Sequence, residues 1–439
     1  MTYRNHQPGR PKIKLMLLWL FLFGPAYFLG GTSSQAISRC ELPNGLSLIV
    51  EKNELSDHTS LCLLIRSGRV AVPSGKEGLS YLTARLSLDP PDTDFLHRLM
   101  KTGSEIKIAS RGDFLVVAVE ALSSEFESTM KLVERTLLRP IFSGIRVSNL
   151  KRVLEENQKK ETDDIDSQAE AALLAAFFGP HGYGASAYGQ PASLQAIKSQ
   201  DVSAFHSKYF AGQNSIVAVV SNLEAEIIRR VVNSTLGKLP RGERQQLEAP
   251  SPRLPEEPNV FIEKDTKIVY LALAFPLPSL TPENFILNHL LANILGSTPG
   301  SFLWPLRSTE KIAYEVGSRL ILQKGGGCFW VYLKTFPGKI NEAKEKLKMT
   351  ITGLRKNGLS SDELEMARQS YRLSILMTKE NKAKQSEALA IYAGWDWPVD
   401  FDEQLLSKLE RIGPEELNSY ILSVLDPEKA VFLQIGPKN

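Results

Sequence analysis

The 439-residue chain is short of the residues that most often announce a chemistry. Three cysteines, Cys40, Cys62 and Cys328, allow at most one internal bridge and show no Cys-x-x-Cys spacing, which excludes a disulfide framework and a thiolate metal knuckle. A Cys40–Cys62 bridge is possible if the two lie on strands of one sheet, although free buried thiols are the usual state of such residues. The six histidines (His6, His58, His97, His181, His206, His289) include no pair three or four apart, so no helix carries two imidazoles on one face. Gly325-Gly326-Gly327 lacks the Lys-Ser/Thr of a phosphate loop and reads as a hairpin turn. Net charge is also scarce. Of the formal +3, four bases (Arg4, Arg10, Lys12, Lys14) fall in residues 1–36 with no acid among them, leaving the remainder at −1. A near-neutral body supplies no field for nucleic acid.

What is present is an ordinary globular composition, 43% hydrophobic and 23% charged, long enough for two cores. The basic start precedes an apolar run, Leu15–Leu29, and then Ser34-Gln35-Ala36. This order predicts a secretory signal in residues 1–36, cut after Ala36, and a secreted or periplasmic protein. A membrane anchor at residues 15–29 is the alternative, although Gly24 and Pro25 interrupt a run already short for a span. A mitochondrial presequence fits less well, because the apolar block is not amphipathic.

Periodicity and turn chemistry predict an α+β chain. Pro43-Asn44-Gly45 joins two apolar runs as a hairpin, Leu61–Arg66 is a strand, Leu79–Leu88 a helix, and Glu105–Ser110 and Phe114–Ala121 are strands. Ser124-x-x-Glu127 and Ser360-x-x-Glu363 read as capping boxes, and Ser199-Gln200-Asp201 as the cap of another helix. Ser148–Phe178 reads as two helices broken near Thr162–Asp166. Residues 241–258, rich in Pro, Glu, Arg and Gln, divide a domain at 37–240 from one at 259–439. The closing helix and strand of the first part, Asp201–Phe210 and Ser215–Ser221, are echoed by Pro414–Leu422 and Ala430–Ile435, the mark of a duplication. Trp395-Asp396-Trp397-Pro398 ends a helix and is expected in the core.

Four words in the chain resemble those of the pitrilysin, insulinase and mitochondrial processing peptidase family. Gly78-Leu79-Ser80-Tyr81-Leu82-Thr83-Ala84-Arg85 is similar to the family's Gly-Leu-Ala-His-Phe-Leu-Glu-His, Pro180–Gly184 to its Gly-His-Pro-Tyr-Gly loop, and Val153–Glu156 to its Val-Leu-x-Glu. Leu306-Arg307-Ser308-Thr309-Glu310-Lys311-Ile312-Ala313-Tyr314 is similar to its Leu-Arg-Glu-x-Arg-Gly-Leu-Ala-Tyr. The resemblance implies two similar domains, each a mostly antiparallel sheet flanked by helices, as in the metallopeptidase fold. In the family the inverted His-x-x-Glu-His binds zinc and supplies the general base. Here those positions hold Tyr81, Ala84 and Arg85: a phenol that binds zinc poorly, a methyl with no donor, and a permanent cation. Glu156 falls on the third ligand, but one carboxylate without its histidines is an ordinary solvated glutamate. The chain is therefore expected to bind no metal and to be inactive alone.

The resemblance further implies that Arg307 and Tyr314 bind substrate and stabilise charge at the scissile carbonyl, for which a guanidinium and a phenol are apt donors. Lys311 replaces a family glycine at the turn between them. The expected role is the non-catalytic subunit of a heterodimeric zinc peptidase in peptide or protein degradation or processing, with zinc in a His-x-x-Glu-His partner. The alternative is a structural or assembly subunit of the same fold, in which Arg307 and Tyr314 are dispensable. An unrelated enzyme on the same fold ranks last, because no nucleophile is seen with a base.

Overall fold

The computed structural model describes residues 37–90 and 92–438, which fall in one compact unit; the signal read at residues 1–36 lies outside them. Two sheets organise the chain. The first contains β1 (Ile37–Glu41), β2 (Ser47–Lys52), β3 (His58–Ile65), β4 (Glu105–Ser110), β5 (Leu115–Leu122) and β6 (Ser215–Ser221), in the order β1-β2-β6-β3-β5-β4. The second contains β7 (Asn259–Glu263), β8 (Val269–Leu277), β9 (Glu315–Gln323), β10 (Gly326–Thr335) and β11 (Val431–Gly436), in the order β7-β11-β8-β10-β9. With β1 set aside, the orders are the same. In each sheet the last strand pairs in parallel with the outer first strand, and the other pairs are antiparallel. The duplication is one of topology.

The local signals explain most of these elements. Asn44-Gly45 forms the β1–β2 turn, with Gly45 at φ +83° and the Asn44 amide donating to the carbonyls of Leu236 and Leu239. Thr281 and Ser360 both cap helices through reciprocal bonds, to Asn284 and Glu363. The long helical stretch breaks at Asp164, the extended cap between Gly144–Asp163 and Ile165–Phe178. Two expectations need correction. The Ser124/Glu127 box does not form: a short 3-10 turn at 123–125 leads directly into the helix Phe126–Leu138, so its cap residue, Glu125, has helical rather than extended backbone and makes no capping bond. The helix at Ser199–Tyr209 is capped one residue earlier, at Lys198, whose N–H donates to Asp201 at 2.8 Å. All three cysteines are free, in line with the reading favoured from the sequence. Cys40 on β1 and Cys62 on β3 are separated by β2 and β6, three strand spacings or roughly 14 Å, well beyond disulfide reach.

Each sheet packs one face on helices of its own half. The opposite face is covered by a helix from the other half. Ile165–Phe178 lays Ala169, Leu173 and Phe177 on Tyr270, Trp330 and Leu433 of the second sheet. Lys382–Gly394 lays Leu389, Ala390 and Ala393 on Cys62, Leu64 and Ala218 of the first. β3, β6 and β10 are consequently buried on both faces and read as unbroken apolar runs. Each exchanged helix begins at a buried ionic anchor. Lys382 donates to the carbonyls of Ser56 and His58 at 2.6 and 2.8 Å. Asp166 accepts from the buried Lys334 at 2.7 Å, and Lys334 also meets Glu315 at 3.1 Å.

A buried carboxylate lies beside the first anchor. Glu51 on β2 accepts from Gln385 at 2.9 Å, and Gln385 also serves Asp402 at 3.1 Å. Burial raises the Glu51 carboxyl above its ordinary range; the Gln385 bond and Lys379 oppose this, and Asp402 and Glu403 add to it. A folded value above the unfolded one contributes stability at pH below the ordinary glutamate range, and that contribution is lost as pH rises through the folded value. Glu51→Gln keeps an acceptor for Gln385 and removes the titration. Its melting temperature relative to wild type is expected to rise between about pH 4 and neutrality, and a difference that stays flat or falls over that interval contradicts the assignment.

Candidate functional site

The helix Leu79–Ser87 starts at Gly78, whose φ of +95° and close approach to the Tyr188 carbonyl suit only glycine. Tyr81 and Arg85, four residues apart, lie on one half-buried face, while Ala84 is wholly buried in the core of the first half. Tyr81 packs edge-on to Tyr188 at 5.1 Å, and Arg85 faces Asp89 at 3.7 Å. Both line a cavity of about 290 Å³ whose other walls, including Leu88, Leu96 and Ile106, are hydrocarbon. Where the family motif would present two imidazole ligands, this face presents a phenol and a cation. Glu156 is exposed on the neighbouring helix, one turn's face away from the buried Leu154. No cluster of three or more His, Cys, Asp or Glu suited to a metal occurs among the described residues.

Arg307 and Tyr314 lie in the second half, at the two ends of one closed turn. Arg307 is on the short helix Trp304–Ser308, with its guanidinium 5.1 Å from the Trp304 ring centre. The chain returns through Lys311, and the N–H groups of Ile312 and Ala313 both donate to the Leu306 carbonyl, at 2.9 and 3.1 Å. Leu306, Ile312 and Ala313 are buried and fasten the turn to the core. Because Leu306 and Ala313 are bonded, the residues that follow each have Cα atoms no more than about 11 Å apart by chain geometry. Lys311 takes φ +53°, a left-handed conformation that glycine adopts without strain. Its carbonyl accepts from Lys339 at 2.8 Å. Arg307 is exposed and Tyr314 is 42% exposed, and neither side chain has a hydrogen-bonding or ionic partner among the described residues. Burial of part of the ring raises the Tyr314 phenol further, against the opposing pull of Lys334, so it is a proton donor at neutral pH.

Two groupings were not legible in the sequence. Asp113, in the β4–β5 turn, accepts from the Tyr183 hydroxyl, from Lys324 N–H at 2.8 Å and from Trp395 Nε1 at 3.3 Å, tying together both halves. That explains the Pro180–Gly184 loop as a structural device: Tyr183 is buried, and a side chain at Gly184 would lie 1.9 Å from the Gly179 carbonyl. His181 joins its loop to the one before the helix Leu79–Ser87. It is exposed, with Nδ1 2.6 Å from Glu77 and Nε2 3.0 Å from Ser74 Oγ. These three residues superficially suggest an activated serine. However, Ser74 Oγ is also 3.4 Å from Nδ1, and an oxygen on the Nε2 lone pair would be much farther from the nitrogen across the ring. Ser74 is not aligned for proton transfer to His181, and the contact links two loops. Trp395 and Trp397 pack with Phe285 as predicted.

The fold and site thus define a two-sheet α+β chain of metallopeptidase type whose zinc positions carry no ligand set. Residues 196–371 match the family model described as the peptidase M16 inactive domain. An uncharacterised zinc protease of Mycobacterium leprae is 22% identical over 79% of this chain and 80% of its own length. A Helicobacter pylori protein called a non-peptidase homolog is 21% identical over 92% of this chain and 94% of its own. The crystal structure of a peptidase M16 inactive domain from Pseudomonas fluorescens superimposes with a TM-score of 0.84 at 18% identity, covering 92% of this chain and 98% of that one. The likeness therefore runs through both halves. The chain thus resembles the peptidase M16 group, whose inactive-domain model it matches over residues 196–371, and the fold is shared through both halves.

Proposed function

We propose that this chain is the non-catalytic subunit of a two-chain zinc metallopeptidase and lends Arg307 and Tyr314 to a partner that carries His-x-x-Glu-His. The carrying observation is the contrast between the two words: the zinc word is filled with Tyr81, Ala84 and Arg85, while Arg307 and Tyr314 stand exposed and unpartnered on a turn fastened at three buried points. Unused donors held on a rigid base suit a role toward something outside the chain. Zinc and the general base would belong to the partner, and the substrate would be a peptide or protein segment. The basic and then apolar residues 1–36 support export, so the pair would assemble in the periplasm or outside the cell.

The test is reconstitution. The purified chain is expected to hold no stoichiometric zinc and to cleave no peptide, whereas mixing it with an M16 chain bearing His-x-x-Glu-His from the same organism is expected to give a stable complex with one zinc per pair and peptidase activity above that of the partner alone. A partner that is fully active by itself and does not associate would leave this reading without support.

A further inference from the structure

A buried cation whose one ion pair is long and shared stands where two surface cavities meet. Arg66, just past the end of β3, is 9% exposed, and its guanidinium makes no hydrogen bond among the described residues. The carboxylate nearest to it, Asp396, is 3.8 Å away and already engaged: Arg244 Nη2 contacts both its oxygens, at 2.9 and 2.6 Å. Asp396 is itself held at φ +66°, a costly conformation for a residue other than glycine. Cavities of about 390 and 420 Å³ share Arg66 and Arg244 in their walls. The first adds Lys324 and Asp113, whose carboxylate is already occupied by Tyr183, Lys324 N–H and Trp395. The second adds Arg39, Glu41, Ser47 and Gln213, with Arg39 steadied by a 3.2 Å bond to Ser47. Cations thus outnumber free carboxylates around a guanidinium with five unmet N–H donors.

We propose that the junction of these cavities is a binding site for one small oxyanion, a carboxylate or a phosphate, held by Arg66 with Arg244 and Arg39 as supporting donors. A planar guanidinium presents paired N–H groups to such an anion, and two further arginines match its remaining charge. Burial and the nearby Arg244 lower the Arg66 ionisation to about 10, which leaves it charged at neutral pH and in need of a counter-charge. The site joins four separate parts of the chain: β1, the end of β3, the 241–258 segment and the end of the exchanged helix Lys382–Gly394. An occupant would therefore stabilise their packing, and binding would appear as a higher melting temperature. Nothing in this depends on a peptidase partner.

The test uses the full chain in thermal melts and calorimetric titrations at constant ionic strength, with chloride as the control anion. Two probes separate the sources of the anion: inorganic phosphate, and an acetylated dipeptide with a free C-terminal carboxylate compared with its amide. One of them is expected to bind once per chain and raise the melting temperature saturably. Phosphate alone would identify a phosphate site, and the free dipeptide alone, with its amide inert, a carboxylate site. Arg66→Lys should weaken binding by about tenfold, since an ammonium cannot reproduce the fork, and Arg39→Gln, on the exposed rim, should weaken it by a few-fold with an unchanged ligand-free melt. Arg66→Met should abolish binding and raise the ligand-free melting temperature, because it removes a buried charge whose one long ion pair is shared with Arg244; a purely structural Arg66 would lower it. No saturable response to either probe, or equal affinity in wild type, Arg66→Lys and Arg39→Gln, would overturn the proposal. Those two variants decide the matter if Arg66→Met fails to fold.

Discussion

In a reconstituted complex with a zinc-bearing partner, Arg307→Ala or Tyr314→Phe is expected to lower turnover by about 100-fold while assembly, zinc content and melting temperature stay at wild-type values. The size follows from the role. Removing one donor aimed at a developing oxyanion typically costs on the order of 100- to 1000-fold in rate. The absence of a stability effect follows from the geometry. Arg307 is exposed and touches only the Trp304 face, which at the surface is a weak contact, and Tyr314 reaches the core through its backbone N–H to Lys334 rather than through its hydroxyl. The turn is held by Leu306, Ile312 and Ala313, which neither substitution disturbs. A ground-state contact would instead raise KM with kcat unchanged. Full activity in both single variants and in the double variant would leave only the structural or assembly subunit. Loss of activity accompanied by a lower melting temperature would assign the pair to packing.

Expressed separately, residues 37–240 and 259–439 should each fail to form a cooperatively folded monomer, and co-expression should restore the native near-ultraviolet signature. The reason is the exchanged pair of helices. Without Lys382–Gly394, one face of the first sheet exposes Ile49, Leu64, Phe114, Val116, Ile216 and Val220. At about 1.5 kcal/mol or more for each large apolar side chain uncovered, this forfeits on the order of 10 kcal/mol, comparable to the roughly 5–15 kcal/mol that holds a domain together. Without Ile165–Phe178, the second sheet loses its cover over Tyr270, Trp330 and Leu433, and Lys334 loses Asp166. The lone helices fare no better, because each carries an apolar face that matches a sheet it no longer meets. A fragment that by itself showed a sharp denaturation transition and native aromatic signals would contradict the exchange as a requirement for folding.

Much of this molecule could be read in one dimension because the signals concerned are local. Asn44-Gly45 specifies a hairpin through its backbone conformation, Thr281 and Ser360 specify helix starts through bonds to residues three positions on, and the break at Asp164 is an extended cap between two helices. The emptiness of the zinc word is equally local, since the donor atoms are missing whatever the fold does with Tyr81, Ala84 and Arg85. Local signals also mislead where a neighbour changes the backbone. Ser124 and Glu127 have the spacing of a capping box, but the 3-10 turn out of β5 denies them an extended cap residue.

By itself the sequence determined the α+β class and the repeated order of elements, because each depends on residue type and short spacing, while the missing metal ligands and the Arg307–Tyr314 word were what its resemblance to the family implied. Only the tertiary structure decided which half covers which sheet, that Cys40 and Cys62 lie too far apart to bridge, that Lys311 keeps a left-handed turn, and that Arg66 is buried beside Arg244 and shares its one carboxylate with it. These depend on contacts between residues up to several hundred positions apart. Hydrophobic burial is non-directional, so an apolar helical face such as Leu389–Ala393 records that it must be covered and leaves the covering surface to the packing of the whole chain.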